Sequence, residues 1–173
     1  MKRIGRIAAM VAWLSVSTAW ADQTIMYPTQ ENADFSVTVP DDWELTPAES
    51  KDDYFTVDGP TGASFSFRSL TAKSEKQAKK NLEDAIQESL DYLKEHFKDV
   101  QLGDPKDDKV GGMEGFAAVG SGADKESGEP VAFVMGWYFN TNKGKIIEVW
   151  FETAPDDKEG AEQASKIMDT LKP

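Results

Sequence analysis

The amino-acid sequence predicts an α+β fold: an open, mostly antiparallel sheet of about six strands, flanked by a long central helix and a C-terminal helix. Three observations support this prediction. Several short stretches alternate apolar and polar residues, as strands with one buried face do. One long segment repeats apolar residues every three or four positions, as an amphipathic helix does. Glycine-bearing turns join neighbouring strand segments, which favours hairpins.

Residues 1–21 have the composition of a cleaved export signal. Three basic residues precede the apolar run Ile7–Val16, which is too short to span a bilayer. Ala19–Ala21 supplies a small-x-small cleavage pattern, so we expect cleavage before Asp22. No cysteine follows, so the residue to which a bacterial lipoprotein attaches its lipid is missing. We therefore expect residues 22–173 to be exported to a bacterial periplasm as one domain, without membrane insertion.

The mature chain is strongly acidic. It keeps 16 of the 19 basic residues and all 31 acidic ones, which gives a net charge of −15 against −12 for the full chain. This charge repels nucleic acids and anionic lipid headgroups, and we expect neither as a partner. The chain has no cysteine, yet 152 mature residues can bury enough surface to fold without disulfides. We expect a monomer.

The first strand signal is the stretch Phe35–Pro40, in which apolar and polar residues alternate. Pro40 ends the strand because it has no N–H group to donate. Trp43 follows the turn, and we expect its ring to return to the buried face of the strand. Residues 22–34 are mostly polar and are predicted to form an N-terminal arm.

Residues Tyr54–Asp58 and Ala63–Leu70 are predicted to pair as a hairpin around the turn Gly59–Gly62. The second of these strands alternates phenylalanines with serines and Arg68. It should therefore have one buried face and one solvent-exposed face.

A long helix is predicted to begin after Ser74 and to end at about Phe97. Ser74 and Gln77 have the spacing of a capping box. At about 24 residues the helix would be about 36 Å long, and its apolar stripe should pack on the sheet. The stripe consists of Ala78, Leu82, Ala85, Ile86, Leu90, Leu93 and Phe97.

The C-terminal half begins with a predicted turn at Gly103–Asp108 and a strand at Gly115–Gly120. The strands Val131–Asn140 and Ile146–Thr153 then form a hairpin through Thr141–Gly144. Both of these strands carry apolar residues on both faces, so they are predicted to be central strands that are covered on both sides. A last helix is predicted to follow Pro155, with acidic residues at its positively polarised end.

The pattern Phe35-x-Val-x-Val-Pro-x-x-Trp43, a glycine-bearing hairpin, a long helix, the Gly115-Phe116 strand, a strong hairpin and a closing helix together resemble the PsbP-like superfamily. This superfamily includes the thylakoid-lumen extrinsic subunit of photosystem II, a Ran-binding nuclear import factor and many exported bacterial proteins. The resemblance covers nearly all of residues 22–173. It implies a single PsbP-like domain with a non-enzymatic binding or assembly role. The export signal and the charge of −15 depart from the photosystem and Ran-binding members.

The residues needed for common catalytic and metal sites are missing from the sequence. There is no cysteine, no Gly-x-Ser-x-Gly motif and a single histidine, His96, which we interpret as a surface or half-buried residue near a helix end. Zinc sites and nucleotide-binding glycine motifs are not present either. We expect no enzyme activity, cofactor or metal, although the aspartate pairs leave open whether calcium binds.

Three sets of residues are candidates for ligand or partner binding. Arg68, which is the only arginine of the mature chain, could bind a carboxylate of a ligand or pair with the chain's own acidic residues. Lys73, Lys76, Lys79 and Lys80 form a basic cluster that is either a solvated helix face or a contact for an acidic partner. Tyr138 and Trp150 are aromatic residues of the central hairpin that are either core or part of an apolar site.

The leading hypothesis is a non-catalytic envelope protein that binds another protein or a small apolar ligand. One alternative is a hydrolase that uses only carboxylates, such as a glycosidase, for which two carboxylates should face each other in a pocket. Another is a structural module stabilised by calcium.

Overall fold

The computed structural model describes residues 22–173, so the predicted export signal lies outside the described residues. The strands are β1 (Asp22–Tyr27), β2 (Phe35–Pro40), β3 (Glu44–Thr46), β4 (Phe55–Asp58), β5 (Ser64–Thr71), β6 (Phe97–Leu102), β7 (Lys106–Val110), β8 (Met113–Asp124), β9 (Pro130–Asn140) and β10 (Lys145–Thr153). The helices are α1 (Glu75–His96) and α2 (Lys158–Thr170).

Eight of the strands form one open antiparallel sheet in the order β3-β4-β5-β10-β9-β8-β6, with β7 pairing with β8 beside β6. The other two, β1 and β2, form a separate two-stranded ribbon. The predicted α+β class, with an open antiparallel sheet, a long central helix and a C-terminal helix, is confirmed.

Residues 22–173 contain ten strands where the sequence predicted about six, and β1, β3, β6 and β7 are the additional ones. The predicted N-terminal arm contains β1, which pairs along its whole length with β2 and buries Tyr27. The predicted turn at Gly103–Asp108 ends early, because β7 begins at Lys106 and pairs with the first half of β8. Most of β7 is charged and exposed, so no apolar alternation marks it as a strand.

Helix α1 begins much as the capping box predicts. The side chain of Ser74 accepts a hydrogen bond from the backbone N–H of Gln77 at 3.2 Å. The Gln77 side chain accepts in turn from the backbone N–H of Lys73 at 3.2 Å, which is one residue before the expected partner. The helix ends at His96, and Phe97 begins β6 directly.

The two helices cover opposite faces of the central strands, as the apolar pattern of β9 and β10 predicts. On one face, Ala85 and Leu93 of α1 belong to a core cluster with Trp137, Ile146 and Trp150. On the other face, α2 and the β1–β2 ribbon enclose a second cluster, whose members include Val37, Phe65, Phe67, Ile147, Phe151 and Ile167.

The loop after β2 joins this second cluster, as expected for Trp43. The ring of Trp43 is 2% exposed, and its Nε1 donates to Oε1 of Gln163 on α2 at 2.9 Å. Helix α2 is capped by Asp157, which accepts from the N–H of Gly160 at 2.8 Å. Neither helix of residues 22–173 contains a segment with the length and hydrophobicity of a membrane span.

Candidate functional site

A groove of about 440 Å³ lies beside α1, above β4 and β5. We call it the α1 groove; it is lined by Tyr54, Thr56, Ser66, Glu88, Ser89, Tyr92, Trp150 and Glu152. Helix α1 packs on the sheet face that carries Trp137, Ile146 and Trp150, and the β4 and β5 residues that line the groove, Thr56 and Ser66, are too small to fill the space beside it.

The strand register places the residues of the groove in rows. Arg68, Ser66 and Ser64 of β5 lie opposite the alternate β10 residues Glu148, Trp150 and Glu152. Thr56 and Asp58 of β4 continue the last two rows, opposite Ser66 and Ser64. The polar face that the sequence predicts for β5 is therefore the floor of the groove.

Hydroxyl groups of that floor are already hydrogen-bonded to each other or to an acid. Thr56 Oγ1 and Ser66 Oγ are 3.2 Å apart, and Ser64 Oγ donates to Oδ1 of Asp58 at 2.6 Å. The side chains of the floor are thus polar and small, and they leave the space above them open.

Aromatic rings form the wall. Tyr92 of α1 meets Trp150 edge to face, with 5.2 Å between ring centroids and an interplanar angle of 83°. Phe133 of β9 stacks on Trp150 at 5.6 Å, while the partner of Trp150 on its other side is the small Ser66. The indole is 9% exposed and Tyr92 is 40% exposed, so the two rings border the groove to different depths.

One end of the groove is closed by a buried ion pair. Arg68 Nε donates to Oε2 of Glu148 at 2.6 Å, and Nη2 donates to Oε2 of Glu88 at 2.7 Å. Ser89 Oγ donates to Oε1 of Glu148 at 3.1 Å, and the Tyr54 ring lies 4.5 Å from the guanidinium carbon. The side chain of Glu148 is only 2% exposed, whereas that of Glu88 is 63% exposed.

Burial and the nearby carboxylates determine the ionisation states of Arg68 and Tyr54 at this end of the groove. Burial has the largest effect on the pKa of Arg68 and opposes its charged form, but Glu148, Tyr54 and the hydrogen bonds to Glu88 and Glu148 together outweigh it and raise the pKa of the guanidinium. Burial, together with the negative charge of Glu148, also raises the pKa of Tyr54. Arg68 therefore stays charged and Tyr54 stays neutral at physiological pH.

Glu152 lies at the other end. Trp150 Nε1 donates to its Oε2 at 3.3 Å. Burial raises the pKa of Glu152, and the negative charges of Asp124 and Asp58 add to this effect, against the lowering effects of the Trp150 hydrogen bond and of His96. The groove thus has an acidic side chain at each end.

Comparison with known proteins gives similarities at the level of structure. The sequence matches no protein-family profile, and no curated protein matches it by sequence. Cyanobacterial PsbP (CyanoP) from Synechocystis has 10% identical residues and a TM-score of 0.61, over 91% of this chain and 94% of that one. LpqN of Mycobacterium tuberculosis, described as involved in cell envelope biogenesis, has 17% identity and a TM-score of 0.56, over 90% of this chain and 92% of that one.

The chain has the PsbP-like fold. The Ran-binding protein Mog1p of Saccharomyces cerevisiae aligns at 14% identity and a TM-score of 0.46, over 86% of this chain and 84% of that one. The similarity to CyanoP and LpqN confirms the resemblance noted in the sequence at the level of the fold.

On this PsbP-like fold, the residues that the sequence singled out do not form one site. Trp150 lines the α1 groove and Arg68 lies at its closed end, hydrogen-bonded to Glu88, because the two occupy the same face of adjacent strands. Tyr138 lies on the opposite face of the sheet, because it alternates with Trp137 on β9. The four lysines lie at the start of α1 and are exposed, and none of them lines the α1 groove.

Tyr138 borders a second groove, of about 330 Å³, which we call the α2 groove. It is lined by Phe65, Asp108, Val110, Val134, Gly136, Tyr138, Val149, Phe151, Ala161, Ala164, Ser165 and Met168. The Tyr138 hydroxyl donates to Oδ2 of Asp108 at 2.8 Å. Burial and this hydrogen bond raise the pKa of Tyr138.

The basic cluster is partly neutralised by acids of its own helix. Lys79 lies 3.9 Å from Glu83, and Lys80 pairs with Asp84, each at the i,i+4 spacing. Within residues 22–173, Lys73 and Lys76 have no such ion pair. The cluster remains a predicted contact for an acidic partner.

Sequence reasoning missed several groove residues. Glu148 was detectable, since it is an acidic residue inside the apolar run Ile146–Phe151, and a buried acid there requires a cation such as Arg68. Glu88 and Tyr92 were also detectable as an i,i+4 pair beside the apolar stripe of α1. Strand alternation placed Glu152 on the same face as Trp150, but its groove neighbours on α1 and β4 come from distant segments that the sequence does not bring together.

The arrangement also bears on metals and on carboxylate catalysis. No group of three or more histidine, cysteine or acidic side chains within residues 22–173 is arranged to hold a metal ion. Two carboxylates, Glu88 and Glu152, do line one groove. They lie at opposite ends of the groove, whereas the hydrolase alternative requires two carboxylates that face each other.

Proposed function

We propose that this protein is an exported, non-catalytic binding module of the cell envelope, and that it binds a small, partly apolar ligand in the α1 groove. The observation that carries the proposal is the groove itself, an open space of about 440 Å³ with aromatic walls and polar groups at both ends. Ligand sites of other proteins have this size and this mixture of apolar and polar lining.

The export signal in the sequence and the fold similarity to LpqN support an envelope location. LpqN is involved in cell envelope biogenesis, and it shares the PsbP-like fold at 17% identity. Expression of the full chain in a bacterial host should give a periplasmic protein whose mass corresponds to a start at Asp22. A cytoplasmic product that retains residues 1–21 would contradict the proposed location.

The binding proposal is tested with N-phenylnaphthylamine, a neutral apolar dye whose fluorescence rises in an apolar site. We expect the purified mature protein to increase the emission of the dye. Replacement Ser66→Phe should abolish the increase, because the phenyl ring would fill the space next to Trp150.

The matched control fills the other groove. Ser165→Phe places the same ring on α2, at the edge of the α2 groove, and should leave dye binding unchanged. A protein that does not bind the dye, or one in which Ser165→Phe and not Ser66→Phe removes binding, would refute the α1 groove as the ligand site.

A second candidate function, hydrolysis by two carboxylates, is favoured by one observation. Glu88 and Glu152 line one groove in different surroundings: Glu88 is hydrogen-bonded to Arg68, whereas burial raises the pKa of Glu152. We rank it second because Glu88 is already hydrogen-bonded to Arg68. Release of nitrophenol from nitrophenyl glycosides, lost in Glu152→Gln, would establish this function in place of the first.

A further inference from the structure

Building on the proposed function, we infer that the α1 groove selects organic cations: an amine or quaternary ammonium group attached to a short apolar chain. The inference rests on the charges at the two ends of the groove, on its aromatic wall and on the absence of a free positive charge among its lining residues.

The first step concerns charge. None of the residues that line the groove is basic; Arg68 at its closed end shares its guanidinium between Glu148 and Glu88, and His96 packs against Tyr92 with 4.4 Å between ring centroids. At this end of the groove, one positive charge is therefore shared by two carboxylates. Glu152 at the other end adds a third carboxylate. An anionic ligand would find no unpaired cation here and would be repelled, whereas a cation would be attracted by the surplus of negative charge.

The second step concerns the wall. An ammonium group is attracted to the faces of tryptophan and tyrosine rings, and most strongly where water is excluded. Trp150 and Tyr92 both line the groove; Phe133 stacks on Trp150 and His96 packs against Tyr92, and Tyr92, which is 40% exposed, offers the larger accessible ring surface. The Thr56 and Ser66 hydroxyls on the floor can accept hydrogen bonds from a protonated amine.

The third step concerns the net charge of the chain. The mature protein carries −15, so its long-range field also favours the approach of small cations. The field alone would attract any cation to any part of the surface. Selective binding at the groove must therefore depend on Glu88, Glu152 and the aromatic rings, and it can be tested by removing one of these at a time.

The test is displacement of the dye N-phenylnaphthylamine from the wild-type mature protein by three probes of similar chain length. These are hexyltrimethylammonium, octanol and hexanesulfonate, which are cationic, neutral and anionic. We expect the cation to displace the dye at a concentration about tenfold lower than the other two probes, and this advantage to shrink as salt is added.

Charge-neutralising variants identify the groups that are responsible. Glu88→Gln and Glu152→Gln should each weaken hexyltrimethylammonium binding about fivefold to tenfold, while the affinity for the neutral dye stays the same. Glu95→Gln removes the same charge from an exposed position of α1 that does not line the groove, and should change neither affinity. Retained dye binding also shows that each variant is folded.

The outcomes separate the two proposals. If the dye does not bind, the proposed function fails. If the dye binds but octanol or hexanesulfonate displaces it as well as the cation does, the binding module stands and the cation preference is overturned. Equal weakening by Glu95→Gln and Glu152→Gln would likewise overturn it, because general attraction to an acidic protein would then explain the preference.

Discussion

The α1 groove and the α2 groove are built on the two faces of the same strands, yet they differ in chemistry. On β10, Ile147 and Val149 face α2, whereas Glu148 and Trp150 face α1. The α2 groove is floored by apolar and aromatic side chains, and its main polar contact is the hydrogen bond from Tyr138 to Asp108. The α1 groove has hydroxyls on its floor, a buried ion pair at one end and an acid at the other.

This difference shows which face contributes mainly to stability. The α2 face has the β1–β2 ribbon and α2 packed on it, and eighteen buried residues form its core cluster. Burial of apolar surface of this kind stabilises a fold and does not depend on the orientation of the groups that are buried. On the α1 face, a buried charge pair has a desolvation cost that its mutual attraction must offset. Ionisable groups perturbed in this way occur at functional sites as well as in structural ion-pair networks.

The largest expected effect comes from removing one member of the buried pair. Arg68→Met leaves the Glu148 carboxylate, at 2% exposure, without its cation. We expect a loss of about 3 to 5 kcal/mol in the free energy of unfolding, because an unpaired buried charge is strongly unfavourable. Urea unfolding followed by tryptophan fluorescence measures it.

The double variant Arg68→Met/Glu148→Met is the control for this prediction. Two apolar side chains of similar volume remove both charges, so most of the lost stability should return. If Arg68→Met lowers the free energy of unfolding by less than about 1 kcal/mol, the Glu148 carboxylate is solvated or neutral. The buried ion pair would then not close this end of the α1 groove.

A smaller effect is expected on the opposite face. Tyr138→Phe removes the hydroxyl that donates to Asp108 at 2.8 Å and keeps the buried ring. Because Asp108 is exposed and regains water, the loss should be about 1 kcal/mol. Dye binding in the α1 groove should not change. A loss as large as that of Arg68→Met would mean that the two faces do not differ in the way described.

Glu152→Gln should have a still smaller effect, and its sign depends on pH. The pKa of Glu152 is raised in the folded state from its ordinary value of 4.5, so the folded protein holds this proton more tightly than the unfolded chain does. The wild type therefore loses stability as pH rises from 4.5 through the raised value. The variant avoids this loss and should melt at a higher temperature at pH 7.

The melting-temperature advantage of Glu152→Gln should disappear near pH 4, where the carboxyl group is protonated in both states. Differential scanning calorimetry at the two pH values provides the measurement. An advantage that is equal at both would show that the gain arises from packing or hydrogen bonding and not from ionisation of Glu152.

The sequence predicted the parts of this structure that depend on local pattern. Alternation along β10 correctly assigned Ile147 and Trp150 to opposite faces, and spacing along α1 correctly placed Ala85 and Leu93 on its buried side but missed the buried Ser89. The pairing of β5 with β10 is not local, because the two strands lie about eighty residues apart, and only this register joins Arg68 to Glu148. For the same reason, Arg68 was identified as a candidate but its partners were not.

The smallest effect is expected from the basic cluster at the start of α1. Replacement of Lys73, Lys76, Lys79 and Lys80 by glutamine should leave the unfolding midpoint and the affinity for hexyltrimethylammonium unchanged, within about twofold, at physiological salt. All four side chains are exposed, and two of them pair only with acids of the same helix. A contact surface for an acidic partner would in contrast lose binding of that partner while the groove keeps its affinity. If the groove loses affinity as well, the lysines and the groove belong to one site, and the division of this protein into an acidic groove and a separate basic surface is wrong.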